Sequence, residues 1–107
     1  MFFDDLLFAI DRVFEYTKGH DFTSFKKDYK TVDAVIRNLE IIGEAAKNIP
    51  SGIKEHHPEV PWSEMYLLWN KISHEYFGID YEIIWDIIIN YLPANKEQIK
   101  KIAAGIT

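Results

Sequence analysis

Two polar side chains four residues apart, Asn70 and His74, have the residue types and spacing for chemistry. At 3.6 residues per helical turn they lie within roughly 40° of each other on one helix face, so both can contact one substrate. An imidazole titrates near neutral pH, as general acid or base catalysis requires. A single histidine on a mixed helix face is more often structural, so the residue types alone leave both roles open for His74.

The stretch from Pro61 to Asp80 is predicted to carry these side chains on one helix. The helix starts near Trp62, its apolar residues recur at spacings of three and four, and Gly78 ends it. The apolar stripe consists of Met65, Trp69, Ile72 and Tyr76. A polar and aromatic surface beside the stripe consists of Tyr66, Asn70, Ser73, His74 and Phe77, with Lys71 at its flank.

Two other polar clusters carry weaker signals. His56 and His57 are adjacent, so their side chains point to different sides of a helix or strand and lack the geometry of two metal ligands. Glu44 lies among small residues and is either solvated or paired with Arg37 or Lys47. We therefore expect no metal site and no cofactor.

The composition indicates one globular domain over residues 1–107. The chain has no cysteine, and 12 basic against 17 acidic residues give a net charge of -5, so an RNA site would have to be a local basic patch. Asp4 and Asp5 stand where a signal peptide needs positive charge, and no apolar run approaches the ~18 residues of a membrane span. These features predict a cytoplasmic protein without a membrane segment.

The first half of the chain predicts two long helices. The first runs from Phe3 to Thr17 with Gly19 closing it, and the second runs from about Thr31 to Asn48 with Pro50 ending it. Between them we expect a loop with one helical turn, capped by Asp21 or Thr23. The segment from Pro50 to Pro61 is rich in turn residues, which predicts a loop.

The second half predicts further helices after the one that starts near Trp62. Asp80 is expected to cap a helix from Tyr81 to Tyr91, which is apolar on most sides and so must be central in the fold or meet another chain. Leu92-Pro93 is expected to break the pattern before a last helix from about Ala94. Short connections between long helices favour an all-α, up-and-down bundle of four to five helices.

The sequence from about residue 31 onward resembles the HepT-like branch of the HEPN domains. The matching segments, in order, are residues 33–47 (DAVIRNLEIIGEAAK), 57–62 (HPEVPW) and 70–80 (NKISHEYFGID), followed by Trp85 and Leu92-Pro93. The resemblance implies an all-helical homodimer. It also implies a toxin of a toxin-antitoxin pair that cleaves RNA without a metal ion, through an Arg followed after four to six residues by His.

The resemblance further implies that the antitoxin is a minimal nucleotidyltransferase, which adds AMP to a Tyr two residues after the His. Carried over by position, His74 would be the general base or acid on the ribose 2′-OH and the leaving oxygen, and Tyr76 would accept AMP. Asn70 matches the family's usual Arg-Asn pair. The motif Arg, however, is Trp69 here. Because a guanidinium binds phosphoryl oxygens in a bidentate manner and an indole does not, we predict a weakened or silent nuclease.

Several alternatives stay open at this point. Lys71 or Arg37 would replace the missing cation, because in a dimer either could face the partner subunit's His74. Ser73 would be a further RNA contact or supporting contact. Trp69 would stack on an RNA base, or it would pack in the core or a dimer interface as part of the apolar stripe. Tyr76 belongs to the same stripe, where a packed ring with its hydroxyl at the edge is ordinary.

Two classes of function follow from these alternatives. A third class requires neither a catalytic site nor a ligand-binding site. The first is a HepT-like ribonuclease toxin that uses His74. The second is a catalytically silent HEPN dimer that binds RNA, a nucleotide or its nucleotidyltransferase. The third is an interaction bundle.

Overall fold

The computed structural model describes residues 2–67 and 80–106. Within these ranges the chain is helical and contains no strand, so the all-α prediction is confirmed. The helices are α1 (Phe2–Thr17), α2 (Phe22–Lys27), α3 (Tyr29–Lys47), α4 (Ser51–His56), α5 (62–67), α6 (Tyr81–Asp86), a π-helical stretch (Ile87–Tyr91) and α7 (Leu92–Ile106). In the part of the chain so described, no helix has both the length and the apolar character to cross a bilayer.

The pair α1 and α3 forms the largest helix contact and supplies much of the core. The apolar residues of each helix recur at spacings of three and four, which places them on one face. Those buried at this contact and around it are Leu6, Ala9, Ile10 and Val13 of α1 and Val32, Val35, Leu39, Ile42 and Ala46 of α3. Gly19, at φ +83°, turns the chain after α1 in a conformation that favours glycine, as the sequence predicted.

The short helix α2 begins with a capping box. The Asp21 side chain accepts a hydrogen bond from the Ser24 N–H at 2.8 Å, and the Ser24 hydroxyl oxygen accepts one from the Asp21 N–H at 3.1 Å. The hydrogen bond from the Ser24 N–H stabilises the ionised carboxylate and so lowers the pKa of Asp21. Of the two residues considered as caps for this turn, Asp21 is therefore the one used.

The predicted break at Leu92-Pro93 is wrong, because α6, the π-helical stretch and α7 are continuous. A proline inside an α-helix lacks the N–H for the i−4 carbonyl, and its ring clashes with that carbonyl. Here the turn directly before Pro93 is π-helical, and the Leu92 N–H donates to the Ile87 carbonyl, five residues back. The wider turn gives the ring room that an ordinary α-helical turn denies.

The loop predicted between Pro50 and Pro61 contains α4. Pro50 is the N-cap residue, and its carbonyl accepts hydrogen bonds from the N–H groups of Ile53 and Lys54. Ile53 is half-buried against the core, so a tertiary contact supports this short helix despite the turn signal of Ser51-Gly52.

The segment 81–91 is buried on one side and exposed on the other. Ile84, Ile87 and Ile88 are buried in the core. On the outer side Ile83, Ile89 and Tyr91 are 41%, 51% and 50% exposed. Of the two environments expected for this segment, the core therefore accounts for one face, while the outer face mixes these apolar residues with the exposed Glu82, Asp86 and Asn90.

Candidate active site

Most of the side chains predicted to take part in catalysis belong to the segment 68–79, which lies outside the described residues. The affected predictions are the catalytic His74 and Asn70, the replaced position Trp69, the AMP acceptor Tyr76, and the supporting Lys71 and Ser73. The structure describes the helices on both sides of this segment and the remaining candidate, Arg37.

Helix α5 leads into the candidate segment and is anchored at its start. Trp62 is buried, and its indole N–H donates to the His57 carbonyl at 3.0 Å. Met65, one turn later, is fully buried, as expected for the first residue of the apolar stripe. The start of the predicted active-site helix is therefore fixed against the core at two positions.

Helix α6 receives the chain after the candidate segment. The Asp80 side chain accepts a hydrogen bond from the Ile83 N–H at 3.2 Å, which confirms the predicted N-cap. Trp85 contacts the fully buried Phe25 of α2, with ring centroids 5.0 Å apart. This contact joins α6 to α2, so the segment 68–79 is bounded by anchored helices on both sides.

Arg37 lies on the surface of α3, where its side chain is 68% exposed and pairs with Glu40 at 3.5 Å. It lines the α1–α3 groove, whose other charged residues are Arg12, Asp5, Glu40 and Glu44. Glu44 is exposed, which agrees with the solvated alternative for that residue. Three carboxylates against two guanidinium groups make this groove a poor site for RNA phosphates.

The structure brings another cation, Lys47, to the described part of the active-site helix. The Lys47 ammonium lies 5.0 Å from the centre of the Tyr66 ring, and Tyr66 is in α5, three residues before Trp69. The sequence predicts Tyr66 on the same polar and aromatic surface as His74, whereas Lys47 is expected only as a candidate partner of Glu44. The two residues are 19 positions apart on different helices, so helical periodicity gave no signal for their contact.

The histidine pair is not part of a described metal cluster. His56 ends α4 and is exposed, whereas the His57 Nδ1 lies 3.1 Å from a Glu59 carboxylate oxygen. Among the residues at 2–67 and 80–106, no group of three or more His, Cys, Asp or Glu side chains is arranged to hold a metal ion.

The chain was compared with known proteins. Residues 6–102 match the family model described as "Ribonuclease HepT-like". A Methanocaldococcus jannaschii protein named "Putative RNase MJ0127" is 46% identical over 105 residues, which is 98% of this chain and 87% of the relative. A Thermococcus cleftensis protein named "Probable ribonuclease HepT" is 43% identical over 101 residues, or 94% of this chain and 92% of the relative. No solved structure matches significantly.

The match spans nearly the whole described fold, from the buried Leu6 of α1 to the buried Ile102 of α7. It therefore includes α1, which the sequence resemblance did not reach, together with both helices that bound the candidate segment. The chain belongs to the HepT-like ribonuclease family.

Proposed function

We propose that the chain is the toxin of a toxin-antitoxin pair and a metal-independent RNA endonuclease that uses His74, with its rate lowered by Trp69. The observation that carries the proposal is the family match over residues 6–102 in a chain that keeps Asn70, His74 and Tyr76. The test is RNA cleavage in the presence of EDTA by the wild type beside His74→Ala.

The proposed reaction is attack of a ribose 2′-oxygen on the adjacent phosphorus. The 2′-O–P bond forms and the P–O5′ bond breaks, which leaves a 2′,3′-cyclic phosphate and a 5′-hydroxyl. His74 removes the proton of the 2′-OH or delivers a proton to the departing 5′ oxygen. Asn70, four residues earlier, is proposed to hold the substrate or the imidazole through its amide.

Trp69 removes the group that would stabilise the transition state. Negative charge builds on the phosphoryl oxygens during the attack, and a planar guanidinium meets two of them at once. The indole offers one N–H and no charge. Lys71, Arg37 and Ser73 remain proposed supporting contacts, although Arg37 lies in a groove that also holds three carboxylates.

We propose that the active form is a homodimer. The exposed large apolar residues Ile83, Ile89 and Tyr91 of the segment 81–91 support contact with a second chain, with the exposed Glu82, Asp86 and Asn90 as polar neighbours in that contact. We expect sedimentation equilibrium at micromolar concentration to give twice the chain mass of 12.6 kDa. A monomer across the whole concentration range would contradict the dimer.

Control by a nucleotidyltransferase antitoxin is the regulatory part of the proposal. The Tyr76 oxygen would attack the α-phosphorus of ATP, and pyrophosphate would leave. After co-expression with a minimal nucleotidyltransferase encoded next to the gene, we expect the intact mass to rise by one AMP in the wild type and to stay unchanged in Tyr76→Phe. An unmodified wild type, or an AMP that persists in Tyr76→Phe, would rule out this role.

The alternative function is a catalytically silent HEPN dimer that binds RNA, a nucleotide or its nucleotidyltransferase. Trp69 favours this alternative, because the motif cation is missing. An aromatic residue at that position also suits stacking on an unpaired base. In this case the wild type and His74→Ala would bind RNA equally, and neither would cleave it.

A further inference from the structure

The basic residues nearest the predicted RNA site and those of the α1–α3 groove differ in their surroundings. Arg12 and Arg37 line the α1–α3 groove together with three carboxylates. Lys47 is exposed at the last residue of α3, beside Tyr66. Glu44, three residues before Lys47, is the nearest acid along that helix, and no ion pair joins the two within the described residues.

The side chain of Lys47 is held by the face of an aromatic ring. Its ammonium is 5.0 Å from the centre of the half-buried Tyr66 ring. The residues next to each, Ala46 and Met65, are fully buried, so the two backbones that carry the pair are anchored in the core. A cation fixed in this way loses less side-chain entropy on meeting a phosphate than a free surface lysine.

A second cation lies at the same end of α3. The Lys54 ammonium donates a hydrogen bond to the Lys47 backbone carbonyl at 3.0 Å. This bond satisfies one of the carbonyls that a helix end leaves without a partner. Neither lysine pairs with a carboxylate in the parts of the chain that the structure describes. Both lysines therefore lie at the C-terminal end of α3.

The Lys47 side chain adjoins the described start of the candidate active-site helix. Tyr66 lies in α5, three residues before Trp69 and four before Asn70. Proteins that bind single-stranded nucleic acid combine cations along the backbone with aromatic faces. The Lys47–Tyr66 pair has both a cation and an aromatic face, whereas the cations of the α1–α3 groove lie among carboxylates.

We infer that Lys47, positioned by Tyr66 and supported by Lys54, binds a backbone phosphate of single-stranded RNA as it approaches the candidate active site. The inference rests on the proposed ribonuclease function for its substrate. It assigns a binding role only, since Lys47 takes no part in the bond changes.

The test measures RNA affinity separately from cleavage. Full-length His74→Ala protein is titrated against a fluorescent oligouridylate of about 16 nucleotides, a length that covers one single-strand-binding domain. The titration is repeated from about 50 to 200 mM salt, because each phosphate contact to a single strand contributes roughly 0.7 to the slope of log affinity against log salt. In this background Lys47→Gln removes the charge but keeps most of the stem. Lys30→Gln is the matched control, since Lys30 is an exposed lysine near the other end of the same helix.

We expect Lys47→Gln to weaken binding severalfold and to lower the salt slope by about 0.7, with Lys30→Gln close to the parent. Lys47→Arg and Tyr66→Phe keep the charge and the ring and should retain affinity, whereas Tyr66→Leu should lose part of it. Equal effects of Lys47→Gln and Lys30→Gln would overturn the inference, and an unchanged affinity in Tyr66→Leu would overturn the positioning by the ring.

Failure of the inference is distinguishable from failure of the ribonuclease proposal. If the protein cleaves RNA through His74 but Lys47→Gln binds like Lys30→Gln, only the phosphate contact is wrong. If proteins with His74 intact do not cleave RNA but binding depends on Lys47, the contact stands and the catalytic proposal falls.

Discussion

Trp69→Arg is expected to raise the rate of RNA cleavage by roughly 10²- to 10³-fold, the usual effect of one preorganised transition-state donor. The guanidinium restores a bidentate partner for the phosphoryl oxygens at the position where the family motif has Arg. The measurement is the single-turnover cleavage rate of a labelled single-stranded RNA in the presence of EDTA, with wild type and variant purified side by side.

Two further substitutions at the same position separate the charge from loss of the indole. Trp69→Gln removes the ring without adding a charge and should cleave no faster than the wild type. Trp69→Lys adds a point charge without the planar fork and should give a smaller gain than Arg. A Trp69→Arg protein that folds normally and cleaves no faster than the wild type would contradict the attenuation by Trp69.

Phe25→Ala is expected to lower the free energy of unfolding by about 3–5 kcal/mol, the usual cost of a buried Phe→Ala change. Phe25 is fully buried and contacts the Trp85 ring, and this contact joins α2 to α6. Because α6 begins directly after Asp80, the loss also weakens the support of the candidate active-site segment. Such a cost is a large share of the ~5–15 kcal/mol that stabilises a typical domain.

The measurement is urea unfolding followed by far-UV circular dichroism, since Trp fluorescence would report the changed environment of Trp85 directly. Phe8→Ala is the matched control: the chemical change is the same, but Phe8 is 64% exposed, with the Arg12 guanidinium 5.3 Å from its ring centre. We expect the control to stay within about 1 kcal/mol of the wild type. Equal losses in the two variants would contradict the proposed anchoring contact.

Local patterns predicted the long helices α1 and α3 and the N-caps of α2 and α6. Helical spacing of apolar residues gave α1 and α3, and the acidic side chains of Asp21 and Asp80 accept the backbone hydrogen bonds expected of N-caps. These features depend on neighbours within one turn, which the sequence displays directly.

Features that depend on tertiary context were missed or misjudged. Pro93 continues a helix because a π-helical turn precedes it, and α4 forms where Ile53 reaches the core. The Lys47–Tyr66 contact joins residues 19 positions apart, and only the three-dimensional arrangement of α3 and α5 reveals it. The family was recognised from its motif, while the match over residues 6–102 adds α1, whose stripe has no motif residue.

Catalysis through His74 is tested by the substitution His74→Ala in the wild-type and Trp69→Arg backgrounds. The measured quantity is the rate at which RNA fragments with 5′-hydroxyl ends appear in the presence of EDTA. We expect Trp69→Arg to cleave RNA and the double variant to cleave roughly 10²- to 10⁴-fold more slowly, which is the contribution of one general acid or base. Cleavage that continues undiminished without His74, or no cleavage by any of these folded proteins, would contradict catalysis through His74.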